Sequence, residues 1–167
     1  MSVHEQHRGH GAHLHLKFGV LTASDSRTAA TDTSGDLIRK ALAEAGHEVA
    51  FSAILRDDLE ELRAAVREHL PRLDGIIITG GTGIGPRDVT IEAIRPLIDK
   101  ELEGFGELFR MLSFQEIGSA AIMSRALAGI VNQRLVVALP GSPAACRLAL
   151  ERLLIPELGH IGSLLKG

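Results

Sequence analysis

Tryptophan and tyrosine are absent, and only five phenylalanines occur in 167 residues. Single-stranded nucleic acid is bound by stacking on aromatic side chains, so this class of partner is disfavoured. A positive charge excess is missing as well: the formal net charge is -3, which leaves no basic footprint for a nucleic-acid backbone. The lone Cys146 rules out an intramolecular disulfide or a cysteine zinc cage. Its place in an apolar helical stretch favours a core role over a nucleophilic one. No window approaches about eighteen uninterrupted apolar residues, and the N-terminus has no apolar signal core, so a cytoplasmic protein without membrane contact is expected.

What is present is ordinary for a soluble globular enzyme, with 45% hydrophobic and 23% charged residues. Residues 16–167 are long enough to bury one core without staples, and neither a linker nor an internal repeat divides them. Residues 1–15 differ. His4, His7, His10, His13 and His15 stand there among Gly, Glu and Gln. Too little apolar surface is available for packing, so a flexible arm is expected, with adventitious rather than designed binding of transition metals.

The stretch DGIIITGGTGIGPRDVT, Asp74 to Thr90, organises the rest. An apolar run (Ile76, Ile77, Ile78) leads into glycines and small polar residues, then into Pro86, Arg87 and Asp88. Glycines let a backbone approach a ligand and aim N–H groups at it, and a strand delivers such a loop to a sheet edge. The pattern is not a dinucleotide fingerprint, because Pro86 stands where a third glycine is needed. Nor is it a P-loop, because Pro86 instead of Lys follows Gly85. A phosphate cradle beside a carboxylate and a tight turn without ligand both remain open.

Elsewhere the chain alternates strands and helices. A strand over Leu16 to Ala23 precedes a polar loop in which Asp25 and Arg27 form either a solvated connector or one wall of a site. Leu37, Ile38, Ala41, Leu42 and Ala45 then recur at helical spacing, with Thr33 or Ser34 as N-cap and Gly46 as stop. Glu48 to Leu55 reads as a strand, and Leu59, Leu62, Val66 and Leu70 mark a helix ended by Pro71. Asp58 and Glu61 have capping-box spacing. One cap needs one carboxylate, which leaves Asp57 for chemistry.

Beyond the glycine loop, Thr90 is expected to cap a helix from Ile91, Pro96 to kink or restart it, and Gly104-Phe105-Gly106 to break any continuous helix over Leu97 to Ile117. Phe109 and Leu112 read as core; Glu107 and Arg110, on one helical face, form either a surface ion pair or a substrate-facing pair. Residues Ser119 to Val131 fit a strand or a helix. Asn132-Gln133 turns into a strand over Arg134 to Leu139. Ser142 then caps a helix with Pro143 in its first position, and Pro156 should end it. That capped terminus is a second potential anion site, and the two strand ends could share one pocket. The alternation predicts an α/β fold, a three-layer α/β/α sandwich around a mainly parallel sheet with right-handed crossovers.

Four blocks carry a resemblance: GGTGIGPRDVT (Gly80 to Thr90), EGFGELFRMLSFQEIG (Glu103 to Gly118), SRALAG (Ser124 to Gly129) and LPGSPAACR (Leu139 to Arg147). In this order, over Leu16 to about Pro156, the chain resembles the MoaB/Mog family of molybdenum cofactor biosynthesis, and the middle and C-terminal blocks are most similar to its MoaB branch. The resemblance implies a molybdopterin adenylyltransferase, a nucleotidyltransferase that uses ATP and Mg²⁺ to adenylylate molybdopterin and releases pyrophosphate. Its alternative is a non-catalytic carrier or scaffold that binds molybdopterin in the same pathway.

Nucleotidyl transfer relies on positioning and charge neutralisation, which suits backbone N–H groups, Mg²⁺ and carboxylates. By resemblance, Asp57 and Asp88 are the catalytic, Mg²⁺-holding pair, and Thr79, Gly80, Gly81, Thr82 and Gly83 bind a phosphate group. Glu107, Ser113, Ser124, Pro140, Gly141 and Ser142 then line the pterin and nucleotide pocket. Trimers or hexamers, and contacts with other proteins of the pathway, are implied partners. Where the family commonly has Pro before the first aspartate this chain has Arg56, which either leaves that loop less fixed or adds a phosphate contact.

Overall fold

The computed structural model describes residues 14–167, so residues 1–13 of the histidine arm lie outside the described residues. Six strands form one sheet in the order β2-β1-β3-β6-β5-β4. These are β1 (Lys17–Ala23), β2 (Glu48–Leu55), β3 (Gly75–Thr79), β4 (Lys100–Glu101), β5 (Leu127–Val131) and β6 (Arg134–Leu139). β2, β1, β3 and β6 are mutually parallel, whereas β5 and β4 add antiparallel to the far edge. Helices cover both faces, giving the three-layer α/β/α sandwich that the alternation predicts.

β3 lies at the centre and is buried throughout, which explains its unbroken apolar run: side chains alternate between faces, and both faces are covered. The register aligns Val20, Ile77 and Val137 across the sheet, and Leu21, Ile78 and Ala138 beside them. The first row packs under α1 (Thr33–Glu44), α4 (Glu103–Ile117) and α5 (Pro143–Ala149). The second packs under α2 (Leu59–His69) and α3 (Thr90–Ile94). Truncating a buried isoleucine in either row to Ala costs roughly 2–5 kcal/mol.

Several local expectations give way to tertiary contacts. Asp32, not Thr33 or Ser34, caps α1: its carboxylate accepts from Gly35 N at 3.0 Å and from Thr22 Oγ1 at 2.9 Å. Thr90 opens α3 without capping it, because its hydroxyl donates to Gly80 O at 2.8 Å. Asp58 does cap α2, accepting from Glu61 N at 2.8 Å, but Glu61 turns its own carboxylate to Arg56 Nε at 3.0 Å, so the return half of the capping box is missing.

Gly104-Phe105-Gly106 does not interrupt α4. The two glycines fall in its first turn, and burial of Phe105, Phe109 and Leu112 outweighs their cost of about 1 kcal/mol each. Pro156 does not end the last helix either. A π-helical turn over Leu150–Leu154 shifts the hydrogen-bond register, and α6 (Ile155–Lys166) starts with Pro156 in its first turn, where no N–H is needed. The ambiguous stretch resolves into a 3₁₀ segment, Gly118–Met123, and then β5. The two-residue edge strand β4 carries no sequence signal. Among the described residues no helix is long and apolar enough to cross a membrane.

Candidate active site

Because β1, β2, β3 and β6 are parallel, the loops leaving them emerge at one edge. The loops after β1 and β2 are joined reciprocally. Asp57 N donates to Asp25 Oδ1 at 3.1 Å, and Asp25 N donates to Asp57 Oδ2 at 3.2 Å. Arg87 Nη1 reaches Asp25 Oδ2 at 3.2 Å and so brings the glycine loop to the same carboxylates. The remaining oxygen, Asp57 Oδ1, is buried and has no hydrogen-bond partner. Burial pushes the Asp57 carboxyl above the ordinary range; the charges of Asp25 and Asp88 add to this, while the Asp25 backbone hydrogen bond and Arg87 oppose it.

The glycine loop packs against that oxygen. Gly80 and Gly81 have φ of 94° and 63°, and a Cβ on Gly81 would stand 2.4 Å from Thr90 Oγ1 and 3.1 Å from Asp57 Oδ1. No other residue type fits there. Asp88 curls back on the loop, its Oδ2 accepting from Gly85 N at 2.8 Å. Among the described residues the amides of Gly81, Thr82 and Gly83 donate to no other group. Free N–H groups beside an unpartnered carboxylate oxygen make a site that can hold both an anion and a cation.

The loop after β6 touches the loop after β3. A Cβ on Gly141 would lie 3.4 Å from Gly80 Cα. Thr79 Oγ1 donates to Pro140 O at 3.0 Å, and Ser34 Oγ donates to Gly141 O at 2.8 Å. Thr79, fully buried, therefore braces the two loops from below. Ser142 caps α5, accepting from Ala145 N at 3.2 Å. The two strand ends thus do meet, as the sequence suggested they could.

The other expected residues lie apart from this edge. Glu107 and Ser124 line a depression of about 470 Å³ together with Arg95, Glu103, Arg110 and Arg125. Ser124 Oγ is buried without a partner. No ion pair joins Glu107 to Arg110 among the described residues, so the surface-pair reading does not hold. Ser113 is buried within α4. Arg125 connects the two regions, donating to Thr82 O and Asp88 O at 3.1 Å each.

The family described as "Probable molybdopterin binding domain" matches residues 19–160. The chain belongs to this family. A Bacillus subtilis molybdenum cofactor biosynthesis protein B is 52% identical over 145 residues, covering 85% of each chain. A crystal structure of a molybdenum cofactor biosynthesis protein B superposes with a TM-score of 0.89 at 47% identity, covering 92% of this chain and 97% of that one. The tungsten cofactor synthesizing protein MoaB from Pyrococcus furiosus superposes with a TM-score of 0.83 at 40% identity, covering 92% and 98%. These likenesses place the chain in the MoaB branch of the MoaB/Mog family and give it a role in molybdenum cofactor biosynthesis.

The family's implied Mg²⁺ can be tested on the residues present. No group of three or more His, Cys, Asp or Glu side chains is arranged as a metal site among the described residues. Mg²⁺ asks for less, since one or two carboxylates plus substrate phosphates and water suffice. Asp57, with an unpartnered oxygen, and Asp88 beside it fit that mode. Arg56, just ahead of Asp57, is exposed and paired with Glu61.

Sequence reasoning left Asp25 open and missed Arg125. Asp25 follows Ser24 in a loop that could have been a connector, and Arg125 sits in a stretch of ambiguous structure. A lone arginine ahead of a strand is a weak signal.

Proposed function

We propose that this chain adenylylates molybdopterin. An oxygen of the pterin's terminal phosphate attacks the α-phosphorus of ATP, the bond from that phosphorus to the bridging oxygen breaks, and pyrophosphate leaves. The observation that carries the reading is Asp57 Oδ1, a buried carboxylate oxygen left without a partner against a glycine loop with free amides. An unpaired buried polar atom costs about 1–3 kcal/mol, and such a cost is retained where a ligand completes the site.

Each residue then has a task. The amides of Gly81, Thr82 and Gly83 receive phosphate oxygens, and Thr79 and Ser34 hold the Pro140–Ser142 loop against them. Asp57 and Asp88 hold Mg²⁺, which when bound neutralises phosphate charge. No side chain need act as nucleophile, because the attacking oxygen is the substrate's own. Cys146, whose thiol burial pushes up, stays a core residue. Glu107, Arg110 and Ser124 offer polar groups to the pterin from the neighbouring depression.

Self-association belongs to the same reading. Leu108, Met111, Phe114 and Ile117 on α4, with Ile122 and Met123 just beyond, are large apolar side chains left exposed. A patch of this kind supports burial against further copies, as a trimer or hexamer.

The test is turnover with ATP and molybdopterin, read as pyrophosphate release and as adenylylated pterin by mass spectrometry. Asp88→Asn is expected to abolish release while pterin binding stays close to native. Undiminished turnover in that variant overturns the site. Pterin binding by the native protein with no ATP consumed replaces the enzyme reading with the carrier.

A further inference from the structure

Arg125 stands just ahead of β5, yet its guanidinium is spent on a different part of the chain. Nε donates to Thr82 O at 3.1 Å and Nη2 to Asp88 O at 3.1 Å. Its outer edge forks onto both carboxylate oxygens of Glu92 in the first turn of α3, with Nη2 to Oε2 at 3.3 Å and Nη1 on Oε1. That hydrogen bonding holds the Glu92 carboxyl below its ordinary range.

The residues between Thr82 and Asp88 have little else to hold them. Gly85 and Asp88 bond to each other, Asp88 N to Gly85 O at 3.0 Å and Gly85 N to Asp88 Oδ2 at 2.8 Å, which closes the turn on itself without tying it to the sheet. Thr90 secures only the base, through Gly80 O and Gly81 O. The ion pair of Arg87 with Asp25 is exposed, with 80% of the arginine side chain accessible, and pairs of that kind contribute little. Arg125 is only 31% exposed and grips both ends of the turn at once.

We propose that Arg125 is a positioning residue that holds the Asp88 turn in place opposite Asp57. The assignment rests on the adenylylation reading for its consequence but not for its geometry. A planar fork can serve two carbonyls and a carboxylate together; a lysine ammonium, a single point charge, cannot. Arg125 touches no reacting atom in this scheme. It acts through the backbone that carries Asp88.

The experiment compares the native protein with Arg125→Lys and Arg125→Ala. Amide hydrogen exchange without substrate is read first. Exchange at the Gly85 and Asp88 amides is expected to accelerate by about tenfold or more in both variants, with β1, β3 and β6 keeping native protection. In turnover, kcat is expected to fall by about tenfold or more in both variants. Unchanged exchange in the turn overturns the assignment, and so does protection lost across the whole sheet, since that marks a merely structural residue. Native kcat in Arg125→Lys also overturns it. If the native protein forms no adenylylated pterin, the reaction reading fails alone, because the exchange comparison needs no substrate.

Discussion

Replacing Asp57 by Asn should make the protein more stable while removing its function. The side chain is half-buried, one oxygen accepts from Asp25 N at 3.2 Å, and the other has no partner. An unsatisfied buried polar group costs about 1–3 kcal/mol. A charged group left this way costs more than a neutral one, and the bonded oxygen and partial exposure put the excess of the carboxylate over an amide at the lower end of that scale, ~1 kcal/mol. Asn keeps the acceptor facing Asp25 N and leaves its Nδ2 unpartnered where Oδ1 was, so what it removes is the charge that burial, Asp25 and Asp88 all disfavour.

The dependence on pH follows from the direction of the shift. The folded carboxyl binds its proton at higher pH than the unfolded one, so the penalty on the charged form is fully present above the folded pKa. It fades as pH falls through that pKa and is gone below the unfolded value. Asp57→Asn should therefore melt about 2–4 °C above native in neutral buffer, by the usual scaling for a chain of this size, and the gap should close on acidification. Thermal melts of both proteins over an acid-to-neutral series, with pyrophosphate release alongside, provide the assay. A variant no more stable than native at neutral pH, or a gap that ignores pH, refutes the claim that Asp57 carries an uncompensated charge.

Two further outcomes are expected. Gln133 holds φ at 61° in the two-residue turn between β5 and β6, a backbone that costs a non-glycine residue roughly 1–2 kcal/mol. After glycine's own entropic cost, Gln133→Gly should gain on the order of 0.5 kcal/mol, seen as a raised urea midpoint with unchanged slope. Phe114, 62% exposed on the apolar face of α4, should matter to assembly rather than to the fold. Phe114→Glu is expected to lower the mass seen by light scattering to that of one chain while the far-ultraviolet spectrum stays native.

The sequence by itself determined the architecture and the strand end that carries the glycine loop. Apolar runs at β1, β3 and β6, helical spacing at α1 and α2, the caps Asp58 and Ser142, and the glycine loop are local patterns, each set by residues within one or two turns of one another. Alternation of such units leaves few arrangements other than a parallel sheet covered on both faces. The capping argument likewise separates Asp57 from Asp58 on local grounds alone.

Only the tertiary structure decided what those local units do to one another. Gly104 and Gly106 stay helical because α4 buries Phe105 and Phe109, and Pro156 is carried past by a π turn under α6. Asp32 takes over the cap of α1 because Thr22 of β1 supports its carboxylate, and Thr90 spends its hydroxyl on Gly80. The Asp25–Asp57 exchange spans 32 residues, and Arg125 reaches back 43 and 37 residues to Thr82 and Asp88. Propensity and spacing report energies between near neighbours. A buried oxygen without a partner, or a guanidinium bracing a distant loop, exists only once the sheet has brought the strand ends together.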